Sequence, residues 1–412
     1  MATSQTFVIV GASLAGATAA QVLREEGFDG RIVLLGAEPE RPYERPGLSK
    51  GYLMGTSSRE ELFVHPSDWY VRNDVDLRLS TVVRSLDRTA RSVVLDGGER
   101  VAYDRVLLAT GSEPRRLGVP GADLAGVAYL RRLGDSERIR DAFRTGPRVA
   151  IIGAGWIGLE TAAAARMAGL EVTVLEAAEL PLLRVLGPEV AQVFASLHRD
   201  HGVDLRLGVQ VAGLTGSGVG GPPAVTGVRL GDGTVLDADL VLVGVGIVPV
   251  VALAADAGLD VTDGVNVDEH LRTADPAVFA AGDVANAYHP GLKRHIRVEH
   301  WENARRQGGA AARSMLGQDA AFDRLPYFFS DQFDLSMEHV GYVAPGEYDR
   351  VVLRGDVDRR EFVAFWLSDG RVLAGMNVNV WDVVADIEQL VASGRQVDLA
   401  RLADPDVPLA SL

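Results

Sequence analysis

Two glycine-rich turns constrain what this chain can fold into. Gly11-Ala12-Ser13-Leu14-Ala15-Gly16 follows the apolar run Phe7–Val10 and opens an alanine-rich stretch that reads as helix to about Glu26. Gly153-Ala154-Gly155-Trp156-Ile157-Gly158 lies about 140 residues further on, follows Arg148–Ile152 and opens a helix over about Leu159–Ala168. Each helix leads to a second apolar run, Arg31–Leu35 and Glu171–Leu175. Strand, glycine turn, helix and strand make a βαβ unit. In such a unit the first glycine allows the tight turn, the second lets backbone approach a pyrophosphate, and the third lets helix pack on strand. The helix N-terminus then offers free N–H groups and a positive dipole end to phosphate. Two such units imply an α/β fold with two nucleotide sites in one chain.

The second turn carries all three glycines and is followed about 18 residues on by Glu176, at a strand end. A carboxylate there accepts hydrogen bonds from adenosine ribose hydroxyls and repels a 2′-phosphate; Ala177-Ala178 bring no arginine to welcome one. NAD is favoured over NADP, unless Glu176 is only a solvated strand-end residue. The first turn has Ser13 at its second glycine position, a small residue that still leaves room for a pyrophosphate. Its ribose-binding acid is less evident. Gly36 follows the second strand, and the nearest acid is Glu38, a ribose ligand or a plain surface residue.

Composition removes other chemistries. The 412 residues are 47% apolar and 24% charged, an ordinary globular balance with ample core. Net charge is −15, which argues against nucleic acid or a membrane surface as partner. Cysteine is absent, which excludes disulfide exchange, thiolate nucleophiles and cysteine-held metal or iron–sulfur centres within the chain. The N-terminus has no basic segment of signal type, and the longest apolar stretch, Leu240–Ala255, is short and broken by Gly244, Gly246 and Pro249. A soluble cytoplasmic protein without a metal site is the expectation. Among 41 basic residues only Lys50 and Lys293 are lysines.

Lys50 ends Arg45-Pro46-Gly47-Leu48-Ser49-Lys50, a loop stiffened by proline. A compact cation there suits an electron-rich ring that becomes anionic on reduction; an ordinary surface lysine is the alternative. Tyr103–Gly111, which ends Ala109-Thr110-Gly111, and Ala238–Gly246 each pair an Asp-led apolar strand with a glycine stop. Val278–Ala281 is a buried-type strand ending in Gly282-Asp283, either a polyol-binding aspartate or a turn. Strands are expected over Arg84–Leu95 and Val101–Ala109, and a hairpin from Leu205–Val211 and Val225–Leu242 around an exposed Gly216–Pro223 loop. Beyond about residue 320, strands at Glu338–Val343, Arg350–Arg354, Glu361–Leu367 and Arg371–Val378 precede a helix near Val380–Ser393.

Gly11–Gly16, Arg45–Lys50, Ala109–Gly111, Gly153–Glu160 and Ala280-Ala281-Gly282-Asp283 occur here in the order found in flavoproteins with two dinucleotide-binding domains. Within that group the chain resembles the NADH-dependent ferredoxin reductases that serve cytochromes P450 and ring-hydroxylating dioxygenases, over nearly its whole length and into Pro326–Gln332. The resemblance implies two Rossmann-like, glutathione-reductase-like domains and a C-terminal α+β domain. An FAD domain is expected at 1–112 and 245–320, an inserted NAD domain at 113–244, and the C-terminal domain at 321–412. It implies FAD contacts at Ala15, Lys50, Val83, Arg131, Asp283 and Trp301; Gly11, Ser13, Leu14, Gly16, Glu38, Arg45, Ala109, Thr110, Gly111, Gly246 and Gly282 are further expected cofactor-binding residues. Gly155, Ile157, Glu176 and Arg184 fall on the NAD side with Gly153, Trp156 and Gly158. Glu160 matches a glutamate that pairs with the loop lysine beside the flavin, making Lys50 and Glu160 the expected catalytic pair.

The resemblance further implies hydride transfer from NADH to FAD and release of single electrons to an iron–sulfur ferredoxin. Such ferredoxins are usually acidic, so docking needs a local basic patch; Arg305, Arg306, Lys293, Arg294 and Arg297 are the candidates, unless they are ordinary surface residues. Phe329 stands where many relatives have tryptophan. Two other acceptor classes stay open: oxygen or a quinone for an oxidase or diaphorase, and none for an NADH-sensing flavoprotein similar to apoptosis-inducing factor.

Overall fold

The apolar run at the N-terminus becomes Thr6–Val10, the middle strand of a five-stranded parallel sheet ordered Val278–Ala280, Arg105–Leu108, Thr6–Val10, Arg31–Leu35, Val75–Arg78. Phe7, Val8 and Ile9 are all buried, because both sheet faces are covered. That is why the run is continuous rather than alternating. The Leu14–Glu25 helix packs against the Trp301–Met315 helix, and the approach needs Gly308: a Cβ there would stand 2.3 Å from the Ala15 carbonyl oxygen. A three-stranded antiparallel sheet, Val83–Asp87, Ser92–Leu95 and Arg100–Ala102, and a four-stranded sheet spanning Val261–Ile296 complete this unit.

This computed structural model describes residues 5–218, 223–319 and 321–412. They fall into two compact units. The first holds residues up to Arg45, Arg59–Glu113 and Ile247–Arg324; the second holds Pro46–Ser58, Pro114–Gly246 and Leu325–Leu412.

The second unit repeats the parallel design, with strands Asp204–Arg206, Glu171–Leu175, Arg148–Ile152, Leu240–Val243 and Val127–Ala128 in that order. Its C-terminal part is a five-stranded antiparallel sheet ordered Tyr327–Gln332, Leu335–Gly341, Arg371–Val378, Glu361–Ser368, Arg350–Asp356. Side chains of Glu361–Ser368 alternate between two buried clusters. Phe362, Ala364 and Trp366 join Phe194 and Leu159, while Val363, Phe365 and Leu367 join Ile387 and Leu390 of the Val384–Ser393 helix.

The expected hairpin shifts. Asp204–Arg206 joins the parallel sheet, where Leu205 pairs with Val174, and the hairpin is instead Val211–Ser217 with Ala224–Leu230. A turn at Gly231-Asp232-Gly233 then splits the long Val225–Leu242 run. Of the expected Gly216–Pro223 loop, residues 219–222 lie outside the described residues. The last long helix begins at Val384 rather than Val380, because Asn379 and Asp382 adopt left-handed backbone (φ 50° and 62°).

Candidate active site

In the first turn Gly11 has φ +121°, and a Cβ there would lie 2.1 Å from the Ala109 oxygen. A Cβ on Gly16 would lie 2.0 Å from the Gly11 oxygen. Ser13 caps the helix with extended backbone, yet its hydroxyl makes no capping bond, and the first-turn N–H groups of Leu14, Ala15 and Gly16 precede any intrahelical acceptor. The fold brings distant pieces here. Gly282, in left-handed conformation (φ +78°), is 3.3 Å from the Ala15 Cβ for an added Cβ, and its N–H donates to Gln307 Oε1 at 2.9 Å; Asp283 follows directly. Ala109-Thr110-Gly111 is held by Ala109 N–H on the Val10 carbonyl and by Thr110 Oγ1 on the Val250 carbonyl at 2.7 Å. Glu38 is no bare surface residue: Arg45 donates to it at 2.9 Å and the Tyr43 hydroxyl at 2.6 Å. Trp301 opens its helix, interacts with Glu44 and lies under the Arg305 guanidinium, 5.6 Å from the ring centre. Val83 is half-buried at the start of its strand.

The second turn has the same steric logic. Gly153 has φ +100°, with an added Cβ 2.4 Å from the Gly244 oxygen; a Cβ on Gly158 would be 2.1 Å from the Gly153 oxygen. At Gly155 nothing lies within 4 Å of an added Cβ, so that side of the turn is open. Ile157 stands 46% exposed beside it. Trp156 turns the other way. Its indole packs edge-on against Phe194 and Phe328, so the side chain is partly buried against the core. Glu176 accepts the Ala154 N–H at 2.7 Å and the Ala178 N–H at 2.8 Å, which fixes the carboxylate at the turn. Arg184 is exposed in the first turn of the Leu183–Asp200 helix, Arg131 is half-buried with its N–H on Asp135, and the Gly246 carbonyl accepts from Arg115.

Lys50 and Glu160 meet as expected, with Lys50 Nζ 3.4 Å from Glu160 Oε1. The loop is pinned by Ser136 Oγ on the Leu48 carbonyl (2.8 Å) and Tyr52 on Glu137 (2.7 Å). Four partners were not expected. Ser49 donates to Glu160 Oε2 at 2.5 Å and Ser330 to Oε1 at 2.7 Å; Asp331 stands 3.3 Å from Lys50 Nζ; and Lys50 Nζ lies 4.5 Å over the Phe329 ring. Burial pushes the Glu160 carboxyl above its ordinary range, opposed first by Lys50 and then by the two hydroxyls. Ser49 and Ser330-Asp331 sit inside segments already singled out, but nothing local says that they converge on one carboxylate.

The basic candidates are largely engaged. Glu302, almost fully buried, accepts from Arg305 Nη2 at 2.7 Å and Arg306 Nε at 2.5 Å. Arg297 is 11% exposed between Asp263 and Glu299. Lys293 is exposed, at a left-handed turn residue (φ 54°).

Residues 5–308 match the family described as pyridine nucleotide-disulphide oxidoreductase, and residues 327–412 match a reductase C-terminal domain. The ferredoxin–NAD(+) reductase component of an anthranilate 1,2-dioxygenase system from Burkholderia cepacia is 41% identical over 406 residues, covering 98% of each chain. The crystal structure of a covalent putidaredoxin reductase–putidaredoxin complex superposes with a TM-score of 0.93 at 37% identity, covering 99% of this chain and 97% of that one. The chain belongs to the ferredoxin–NAD(+) reductases. Such a reductase uses FAD and NAD(H), and the donor set fits both: two tight glycine turns, each opening a helix whose first N–H groups have no intrahelical acceptor, with open space at Gly155 and with Glu176 just past the second unit's strand. The reductase has no cysteine, so the disulphide chemistry in the wider family's name has no residue to act on here. Among the described residues no helix is long and apolar enough to cross a membrane.

Proposed function

We propose that this chain is an FAD-dependent NADH:ferredoxin oxidoreductase that supplies an iron–sulfur ferredoxin of an oxygenase or P450 system. The observation that carries the reading is two nucleotide cradles in one chain that has no cysteine: reducing equivalents taken from NADH have no thiol to leave by. Bound flavin supplies a hydride acceptor that releases electrons singly. The protein's part is positioning. The Gly11–Gly16 turn, with Glu38, Arg45, Ala109–Gly111, Gly282-Asp283 and Trp301, holds FAD; the Gly153–Gly158 turn, with Ile157, Glu176 and Arg184, holds NADH; Lys50, oriented by Glu160, is the cation assigned to the charge that develops on reduction. In functional terms we divide the chain into FAD segments 1–112 and 245–320, an NAD segment 113–244 and a C-terminal segment 321–412. The cytoplasm, where NADH is regenerated, suits this role.

An anaerobic NADH titration of the purified protein tests it. Stoichiometric bleaching of the flavin band, then turnover with a ferredoxin far above turnover with oxygen, is the expected result. A colourless protein, or a yellow one indifferent to NADH, overturns it.

Glu176→Ala removes a charged acceptor. Its hydrogen bonds to ribose are worth about 1.5–3 kcal/mol, so KM for NADH should rise roughly 10–150-fold while NADPH, freed from repulsion, loses less. Unchanged discrimination in steady-state kinetics with both cofactors would remove Glu176 from the specificity role.

We infer that the ferredoxin docks near Lys293, Arg294, Arg297, Arg305 and Arg306. Reversing both Arg305 and Arg306 would strand the buried Glu302 among like charges, so the neutral Arg306→Gln is the cleaner variant: Arg305 still holds Glu302 through two nitrogens. Arg306→Gln should slow ferredoxin reduction severalfold at low salt and leave NADH–ferricyanide turnover unchanged. Equal loss in both assays would refute the docking role.

A further inference from the structure

A buried polar chain runs inward from Glu160. Ser330 has one hydroxyl proton, and it goes to Glu160 Oε1 at 2.7 Å. Its oxygen is then free to accept, and Gln332 Nε2 donates to it at 3.1 Å. That leaves Gln332 Oε1 as an acceptor, and His198 Nε2 lies 2.9 Å away. Ser330 and Gln332 are each 1% exposed and His198 is 0% exposed. Burial drives the His198 imidazole down to about 4, so the ring is neutral and carries a single N–H. That proton must sit on Nε2 to satisfy Gln332. The Nδ1 atom has no partner among the described residues, and Phe333 lies edge-on to the ring, 5.2 Å between centres.

Every hydrogen in this chain therefore points toward Glu160. The opposite polarity is a defined alternative. A protonated Glu160 would donate to Ser330, Ser330 to a flipped Gln332 amide, and that amide to His198 Nε2. The imidazole proton would then move to Nδ1, a buried N–H with no acceptor. Orphaned buried N–H groups are rarer and costlier than under-used acceptors. Reversal also takes away the anion that faces Lys50. The two costs lie at opposite ends of the chain and favour the same polarity.

We propose that His198, acting through Gln332 and Ser330, is a positioning residue that holds the Glu160 carboxylate ionised against Lys50. His198 touches none of the expected reacting groups. The charged and titratable groups around the chain are few. Lys50 faces Glu160, and Asp331 shares Lys50; Ser49 donates to the other carboxylate oxygen. On the imidazole side, His201 is the titratable neighbour, stacked on Phe333 and 3.4 Å from Asp334, and Arg360 reaches Asp334. None of these donates to Gln332 or Ser330, so at the end away from Glu160 His198 alone among the described residues sets the chain's direction. The inference rests on the Lys50–Glu160 pair and not on which acceptor takes the electrons.

The test reads Glu160 itself. Infrared pH-difference spectra of the oxidised holoenzyme follow the carboxylic acid C=O stretch, with Glu160→Gln assigning the band. His198→Phe removes the donor and keeps a ring of similar size; His198→Asn keeps polarity but leaves the place of Nε2 empty. His198→Gln restores an N–H where Nε2 stood. Phe and Asn variants should titrate Glu160 at least one pH unit above wild type, a tenfold shift in the proton equilibrium, and Gln should return it. Gln332→Met, which cuts the chain while keeping His198, should shift the titration in the same direction and serves if neither histidine variant folds. Any of these three disrupted variants, folded by circular dichroism and titrating with wild type, overturns the proposal. So does a His198→Gln protein that shifts as far as His198→Phe. A loss of NADH turnover with an unmoved titration would count against the functional reading of the pair and equally against this one's mechanism.

Discussion

Gly16→Val is expected to yield a folded but colourless protein, or no soluble protein at all. A Cβ at residue 16 would lie 2.0 Å from the Gly11 carbonyl oxygen, a contact with backbone that no rotamer relieves. The Leu14–Glu25 helix would have to move off the Thr6–Val10 strand by roughly an ångström or more to reach van der Waals distance. Its other side blocks that movement, since the Ala15 carbonyl already packs where Gly308 has no side chain. Overpacking of this kind costs about 1–3 kcal/mol, with a backbone clash at the upper end. The same displacement carries away the N–H groups of Leu14, Ala15 and Gly16 that the phosphates need. The flavin-to-protein absorbance ratio and the melting temperature of the purified variant read the two consequences separately. A variant with full flavin content would show that this turn is not the FAD cradle.

Lys50→Met should make stability fall as pH rises. Glu160 is buried, and its carboxyl lies above the ordinary 4.5 in the folded chain. Between 4.5 and that higher value the folded protein binds more protons than the unfolded one, so stability declines with rising pH across the window. Lys50 is the largest force opposing that shift. Without the ammonium the folded value climbs further, the window widens upward, and the loss grows until Glu160 is ionised in both states. The limit is the cost of stranding one member of a buried pair, about 3–5 kcal/mol. Near pH 4.5 and below, where Glu160 is protonated in either protein, the difference should vanish. Urea denaturation at pH 4 and pH 8 measures both ends. An equal loss at both would assign Lys50 to packing on Phe329 alone. Flavin reduction by NADH should slow about 10²-fold, the scale for removing one preorganised electrostatic group.

Much of this was legible in the chain. The two turns predict their own φ angles and steric contacts, because a glycine fingerprint works through atoms within a few residues and one neighbouring strand. The continuous apolar runs predict parallel strands with two covered faces. One signal was readable and not used: Glu302 precedes Arg305 and Arg306 by three and four residues, the helical spacing for an ion pair. Other features were not local. Trp156 reads as a member of the nucleotide turn, yet its side chain goes to Phe194 and Phe328, partners from a helix and a strand far along the chain. Residues 204–206 alternate well enough for a hairpin, and only the vacant edge beside Glu171–Leu175 draws them into the parallel sheet.

By itself the sequence determined two nucleotide turns, the absence of thiol chemistry and a loop lysine at residue 50, while the glutamate partner was what the family resemblance implied. Turn geometry and composition act over short distances, so the order of residues is enough. The tertiary structure decided the environment of that pair: Ser49, Ser330 and Asp331 around it, Phe329 beneath the ammonium, and Gln332 and His198 behind. The charge of a buried carboxylate depends on its desolvation and on every donor aimed at it. Those donors arrive from segments more than a hundred residues apart, where no spacing rule reaches.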